Sequence, residues 1–316
     1  MMLTALTVAF ALTLNAQTTQ KVLFIGNSYV YTNDLPNAVK TLALGCGDTL
    51  EYSQSTPGGC TFQQHLSNTT TMGYVNAGGW DKVILQEQSQ LPSFPIGNVQ
   101  NQCFPFAQQL CQQIRNVTPS ANIVFYMTWG RKNGDATNCA NYPPLCTYQG
   151  MDSLLYWRYM QMAADNAAVI SPVGRVWHAI RDSHPEIELY SSDESHPSVA
   201  GTYAAAVTFY TILFRKSPAL ITNNLTVDAA TAQIIRETVQ TVVFDSLDFW
   251  YQYAPNTAIA HADYGRNVTI YPNPCGEQIT ILTSQGNNAE IYDVFGKLVN
   301  KVSLSENSAI VNLSNC

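Results

Sequence analysis

A serine, Ser28, closes the run Val22-Leu23-Phe24-Ile25-Gly26-Asn27, and an acid and an imidazole three residues apart, Asp193 and His196, lie far downstream. A serine hydroxyl is a poor nucleophile at neutral pH until an imidazole takes its proton, and a carboxylate can fix that imidazole's tautomer. Brought together, the three would carry out acyl transfer. Each also has a plainer reading: Ser28 as a helix N-cap, Asp193 and His196 as a surface acid and a helix-capping histidine. A second acid–imidazole pair, Asp182 with His184, sits in a polar loop with no helix after it and ranks lower. Two further stretches offer hydrogen-bond donors. Gly58-Gly59 ahead of a helix lets a backbone N–H face a cleft without side-chain obstruction. The amide cluster Gln86-Glu87-Gln88-Ser89-Gln90 ends an apolar run, where it supplies donors or simply forms a solvated loop.

These residues do chemistry together only if strands and helices bring them to one edge. A short apolar run ended by a turn signal reads as a buried parallel strand, and ligands bind at the carboxyl ends of such strands. On that basis strands are expected at 22–25, 50–54, 80–85, 121–127 and 169–173. Helical spacing is expected over 35–44, from 62, over 103–117 and 151–168, from 177, over 199–214 and over 231–253. The 199–214 helix is apolar throughout but holds several Thr and Tyr residues and is too short for a bilayer, so it reads as a core helix. Between residues 128 and 148 a Gly/Asn/Cys/Pro-rich insertion carries Trp129, Arg131, Tyr142 and Tyr148. With Asn27 and Trp177 these could line a polar aromatic cleft, although each reads more readily as core or loop packing. From Asn267 the pattern changes to short alternating strands at 268–271, 279–282, 289–294 and 297–302, the pattern of a small β-sandwich. The resulting expectation is an α/β three-layer sandwich, a parallel sheet flanked by helices, over 20–253, a linker at 254–266 and a small all-β domain at 267–316.

Composition narrows the partners. Hydrophobic residues make up 46% of the 316 and charged residues only 12%, which describes a large core and not a disordered chain. The net charge of −7 leaves no basic stripe for nucleic acid. No C-x-x-C occurs and the five histidines show no paired metal spacing, so neither a metal nor another cofactor is expected. An apolar stretch at residues 3–14 with a small residue at Ala16 reads as a signal peptide over 1–16, although no Lys or Arg precedes it. The eight cysteines fit an exported protein, with local pairs expected at Cys139–Cys146, Cys103–Cys111 and Cys46–Cys60.

In order and spacing, Gly26-Asn27-Ser28, Gly59-x-Thr61 and Asp193-x-x-His196 resemble the blocks of the SGNH (GDSL-type) hydrolases. That resemblance implies a flavodoxin-like fold, a secreted serine esterase and no cofactor. It implies Ser28 as nucleophile, His196 as base and Asp193 as its partner, with the N–H groups of Ser28 and Gly59 in the oxyanion hole. The family's Gly-x-Asn-Asp block is absent; Gln86 takes the place of its Asn as third donor, with Gln88 as second choice. Secretion points to an ester on a small molecule or polysaccharide, such as an O-acetylated glycan. The rivals are a lipase or thioesterase on the same scaffold, a non-catalytic glycan-binding module and a structural surface protein.

The tail is similar to another family. Ile270-Tyr271-Pro272-Asn273-Pro274 followed by Ile291-Tyr292-Asp293-Val294-Phe295-Gly296-Lys297 resembles the sorting domain of type IX secretion cargo in Bacteroidetes. That implies a partnership with the type IX machinery, passage through the periplasm, and a final location outside the cell or on the outer membrane. The family carries a further strand past the point where this sequence stops at Cys316, so the expectation is a fragment or a tail that no longer works for export. A generic carbohydrate-binding β module is the other reading.

Overall fold

The computed structural model describes residues 17–254 and, beyond them, 268–271, 278–283, 288–292, 298–304 and 308–312. The expected signal peptide and linker, apart from Ala254, lie outside the described residues.

Five parallel strands form one sheet in the order β2-β1-β3-β4-β5: β1 Thr19–Ile25, β2 Thr49–Ser55, β3 Lys82–Leu85, β4 Asn122–Tyr126 and β5 Val169–Ser171. Their apolar runs are covered on both faces; Val22 to Ile25 and Val83 to Leu85 have no exposed surface. Helices α2 (Leu35–Gly45), α8 (Val173–Ser183), α9 (Val199–Phe214) and α10 (Ala229–Val239) pack as one group. On the other side, α3 (Phe62–Ser67), α4 (Thr69–Ala77), α5 (Ile96–Gln102), α6 (Phe104–Val117) and α7 (Tyr148–Asp165) form the second layer. The α9 helix is buried from Gly201 to Phe214, which explains why it is apolar on every face. No described helix is long and apolar enough to cross a membrane.

The strand order reverses between β1 and β3. In a doubly wound sheet that reversal opens a crevice at the carboxyl ends. Ser28 follows β1 there, and Gln86 follows β3.

Several expectations need correction. The helix expected from Trp177 begins at Val173, because Pro172 occupies the boundary position, where its missing N–H costs nothing. The single helix expected over 231–253 is broken into α10, a π-turn at Gln240–Phe244 and α11 (Leu247–Tyr251). A β-branched run crowds that segment, and the Trp250 indole N–H takes the Val242 carbonyl at 2.8 Å. The sequence pattern predicts neither α4 nor α5.

Of the three expected disulfides only Cys139–Cys146 forms. Cys46, Cys60, Cys103 and Cys111 are free thiols. Cys103 and Cys111 are two turns apart on a helix, roughly 12 Å, and Cys46 and Cys60 flank opposite ends of β2, so neither pair can reach bonding distance.

The C-terminal segments form two small antiparallel sheets in a sandwich-like all-β region. One is β10-β7-β6 (Ser308–Asn312, Gln278–Thr283, Val268–Tyr271) and the other β8-β9 (Asn288–Tyr292, Leu298–Ser303). Strand β10 is additional to the four strands the sequence pattern predicts.

Candidate active site

The chain turns sharply after β1. Asn27 caps the short helix α1 (Ser28–Tyr31), its Oδ1 accepting the Tyr29 N–H at 3.2 Å. Its Nδ2 donates to the Cys60 carbonyl at 3.1 Å and so ties the serine loop to the glycine loop. Asn27 is 2% exposed, which makes it a structural tie and not the substrate contact expected of it.

From the far side of the crevice, the loop between α8 and α9 delivers the other two groups. His196 Nε2 lies 2.8 Å from Ser28 Oγ, across 168 residues of chain. Its Nδ1 is hydrogen-bonded to Asp193 Oδ2. Because the ionised carboxylate can only accept, Nδ1 carries the ring hydrogen and donates it to Asp193, which leaves Nε2 as an acceptor facing the Ser28 hydroxyl. Asp193 Oδ1 collects the N–H groups of Ser195 (3.0 Å) and His196 (2.9 Å) and the Ser191 hydroxyl (3.0 Å). Partial burial pushes the Asp193 carboxyl up, but the His196 ring and these other donors outweigh it and hold the group well below the usual carboxylate range. The alternative imidazole, His184, pairs with Glu186 at 3.2 Å and takes no part.

A second tie spans the crevice. Asn33, in the left-handed region at φ 53°, donates from Nδ2 to the Pro197 carbonyl (3.1 Å) and to Thr202 Oγ1 (2.9 Å). Asn33 and its left-handed neighbour Asp34 are the kind of backbone strain that persists only where surroundings over-determine it.

The Ser28 N–H, in the first turn of α1, and the Gly59 N–H, at φ +67° on an exposed loop, make no hydrogen bond within the described residues. Both therefore stand uncommitted to any described acceptor. Gln86 does not. Its side chain is wholly buried, with Oε1 accepting the Asn27 N–H at 2.9 Å and Nε2 donating to the Glu87 carbonyl. A Cβ at position 26 would stand 2.6 Å from Gln86 Oε1, so Gly26 is what lets the amide pass under the loop. The expected third oxyanion donor is instead a brace beneath the serine. Gln88 is also drawn inward: its Oε1 accepts the N–H groups of Gln90 (2.8 Å) and Leu91 (2.9 Å).

The aromatic cleft expected from Trp129, Trp177 and Tyr148 is also corrected. All three are buried, at 0%, 0% and 4% exposure. Arg131 and Tyr142 keep part of their surface on solvent. Arg131 reaches the fully buried Asp135 at 3.4 Å.

Sequence reasoning missed a buried pair under the site. His65 has no exposure; Nε2 donates to the Gly26 carbonyl at 2.9 Å and Nδ1 accepts from Thr71 Oγ1 at 2.8 Å. Desolvation lowers its pKa to about 4, against the opposing pull of the Gly26 carbonyl. Glu87 accepts the N–H of Phe62 (3.0 Å) and of Gln88 (2.6 Å) on Oε1, while its buried Oε2 has no partner. Desolvation lifts its pKa to about 8, although both N–H bonds pull it down. No local pattern flags either residue, since their partners come from other segments.

Among the described residues no three His, Cys, Asp or Glu side chains converge as a metal-binding set. A surface cavity of about 390 Å³ along α10 touches none of the residues above.

Residues 269–316 match the family model of the secretion system C-terminal sorting domain, which implies secretion. Among solved structures, a Slackia heliotrinireducens protein described as a candidate SGNH hydrolase is 24% identical, with a TM-score of 0.52 over 62% of this chain and 99% of that one. A DUF4886 family protein from Bacteroides uniformis is 18% identical, with a TM-score of 0.63 over 74% of this chain and 96% of that one. Likeness at this level of identity establishes a shared fold. A search of curated protein sequences finds no match.

Proposed function

We propose that this protein is a secreted serine esterase. The observation that carries the reading is the 2.8 Å contact between Ser28 Oγ and His196 Nε2, with Asp193 on the other ring nitrogen. Ser28 Oγ attacks the ester carbonyl as its proton passes to His196 Nε2, giving a tetrahedral intermediate. The N–H groups of Ser28 and Gly59 face its oxyanion. Collapse expels the alcohol, which takes the proton back from His196. Water then attacks the acyl-serine, with the imidazole again acting as base, and releases the acid and free Ser28.

The substrate class is an O-acyl, most simply O-acetyl, group on a carbohydrate. Two features support a polymer-accessible site. The Asp193 side chain is 49% exposed and that of His196 35%, so the reacting groups lie at a rim. Tyr31, one helical turn beyond Ser28, is 48% exposed and its hydroxyl adjoins Gly58, which leaves an aromatic face beside the glycine loop for a sugar ring. Of the residues expected to touch substrate, Arg131 retains an accessible surface suited to that role. The export partner would be the type IX secretion machinery, through the 269–316 tail.

A serine-directed fluorophosphonate tests the reading. Covalent labelling of the wild type, absent in Ser28→Ala, together with acetate release from acetylated xylan, is the expected result. Faster turnover of long-chain than of acetyl esters would move the assignment to a lipase or thioesterase. Glycan binding without labelling would make it a non-catalytic module.

A further inference from the structure

Tyr29 follows Ser28 directly and is fully buried, yet its hydroxyl is committed to the opposite wall of the crevice. It meets Ser195 Oγ at 2.8 Å. Ser195 stands between Asp193 and His196, so one phenol links a neighbour of the nucleophile to a neighbour of the base.

The ring of Tyr29 is itself held. It lies parallel to the Trp129 indole at 4.8 Å and 4°, and Trp129 lies parallel to Trp177 at 3.7 Å and 8°. Trp129 Nε1 donates to the Ser195 carbonyl at 3.1 Å. Ser195 is therefore gripped at both polar ends, the hydroxyl by Tyr29 and the carbonyl by Trp129. The His196 ring stands edge-on to Tyr29 at 5.4 Å and 72°. Trp177 is backed by Tyr190, edge-on at 4.9 Å, whose hydroxyl donates to the Gly130 carbonyl at 2.6 Å and accepts from Arg181. The residue before Ser195, Glu194, is left-handed at φ 59°. Its own hydrogen bonds to the Ser191 carbonyl, the Lys132 N–H and the Asn133 amide hold it there, so the strain is carried on the outer side of the loop.

We infer that Tyr29 is a positioning residue, and that its hydroxyl, acting through Ser195 on a rail formed by Trp129 and Trp177, fixes His196 against Ser28. The inference rests on the esterase reading for its rate predictions. Its geometric content stands without them. An ordinary core tyrosine would fill space and contribute stability. A positioning one must also govern how well the imidazole is held.

Tyr29→Phe keeps the ring and the stack and removes only the hydroxyl. The expected result is a fall in kcat of about tenfold, the scale of one buried hydrogen bond, with KM within about twofold. The Tyr29 hydroxyl also interacts with Ser89, so Ser195→Ala should cost no more than Tyr29→Phe, and the double variant no more than Tyr29→Phe alone, because removing the phenol already removes the Ser195 interaction. Tyr251→Phe is the control: this buried hydroxyl bonds the Ile212 carbonyl in another part of the fold, so its loss should lower Tm and leave kcat unchanged.

A second measurement needs no substrate. The His196 Nδ1–H proton resonance should be sharp in the wild type and broadened or absent in Tyr29→Phe. Unchanged kcat in Tyr29→Phe and Ser195→Ala, additive losses in the double variant, an equal loss of kcat in Tyr251→Phe, or an unaltered imidazole resonance would each overturn the inference. A wild type that neither labels nor turns over would remove the esterase reading, and the resonance would still decide the role of Tyr29.

Discussion

The loop carrying Ser28 is touched by an imidazole on each of its two faces, and the two do opposite things. Above it, His196 accepts from the Ser28 hydroxyl and donates to an ionised, half-exposed Asp193. Below it, His65 donates to the Gly26 carbonyl and accepts from Thr71, which in turn meets Ser55 Oγ at 2.7 Å, with no solvent contact. The carboxylates divide in the same way: Asp193 is held low by donors, whereas desolvation lifts Glu87 to about 8. The residue types are alike on both faces and the surroundings decide the role. Where a carboxylate and water can follow a moving proton, the imidazole is suited to transferring one. Where hydroxyls and burial freeze it neutral, it holds backbone in place.

The sharpest way to break this comparison is to remove the upper imidazole. His196→Ala should lower kcat/KM by roughly 10⁴ and leave the unfolding midpoint nearly unchanged, because little packing is lost at an exposed rim. Ester kinetics beside a thermal melt would check it. A large fall in Tm with residual activity intact would reverse the roles assigned to the two faces.

Much of the upper face was legible in the sequence and almost none of the lower. Val22 to Ile25 is a buried run ending in a turn, and such a run in a parallel sheet can only bring its last residue to the crevice. Asp193 and His196 are three apart in a loop before a capped helix, so their mutual contact is local. The lower face has no local signature. His65, Thr71, Ser55 and Gly26 come from four elements, and their contact follows from packing α3 and α4 against β1 and β2. Gln86 shows the same limit from the other side. Residue type announces an amide donor, but whether it faces the cleft or the underside of the loop depends on the adjacent strand. Trp129 and Trp177 likewise carry aromatic chemistry that the fold spends on a stack.

The buried carboxyl gives the next largest effect. With a folded pKa of about 8 against about 4.5 unfolded, Glu87 keeps its proton in the native state after the unfolded chain has lost it. Its contribution is complete below pH 4.5 and declines as pH rises towards 8, by about 5 kcal/mol at most. Glu87→Gln should flatten that decline and make the variant the more stable protein at pH 8, as urea midpoints at pH 5 and 8 would record. A wild type equally stable at both pH values would mean that the carboxyl is ionised where it stands.

His65 makes a smaller contribution of opposite sign, which is where the two faces separate most cleanly. Its folded pKa of about 4 lies below the unfolded value of 6.5, so the unfolded state takes up the proton first. Stability is fully present above about pH 6.5 and lost as pH falls towards 4, about 3 kcal/mol in all. His65→Gln should lose some stability at neutral pH through imperfect contacts with Gly26 and Thr71, and its urea midpoint should then vary less between pH 7 and 4 than that of the wild type. The upper imidazole cannot mimic this result, since in His196→Ala the stability slope over the same range should persist while the activity is gone. If the slope instead vanished with His196 and survived in His65→Gln, the proton that destabilises the fold in acid would belong to the exposed face, and the division between a transferring and a holding histidine would have to be withdrawn.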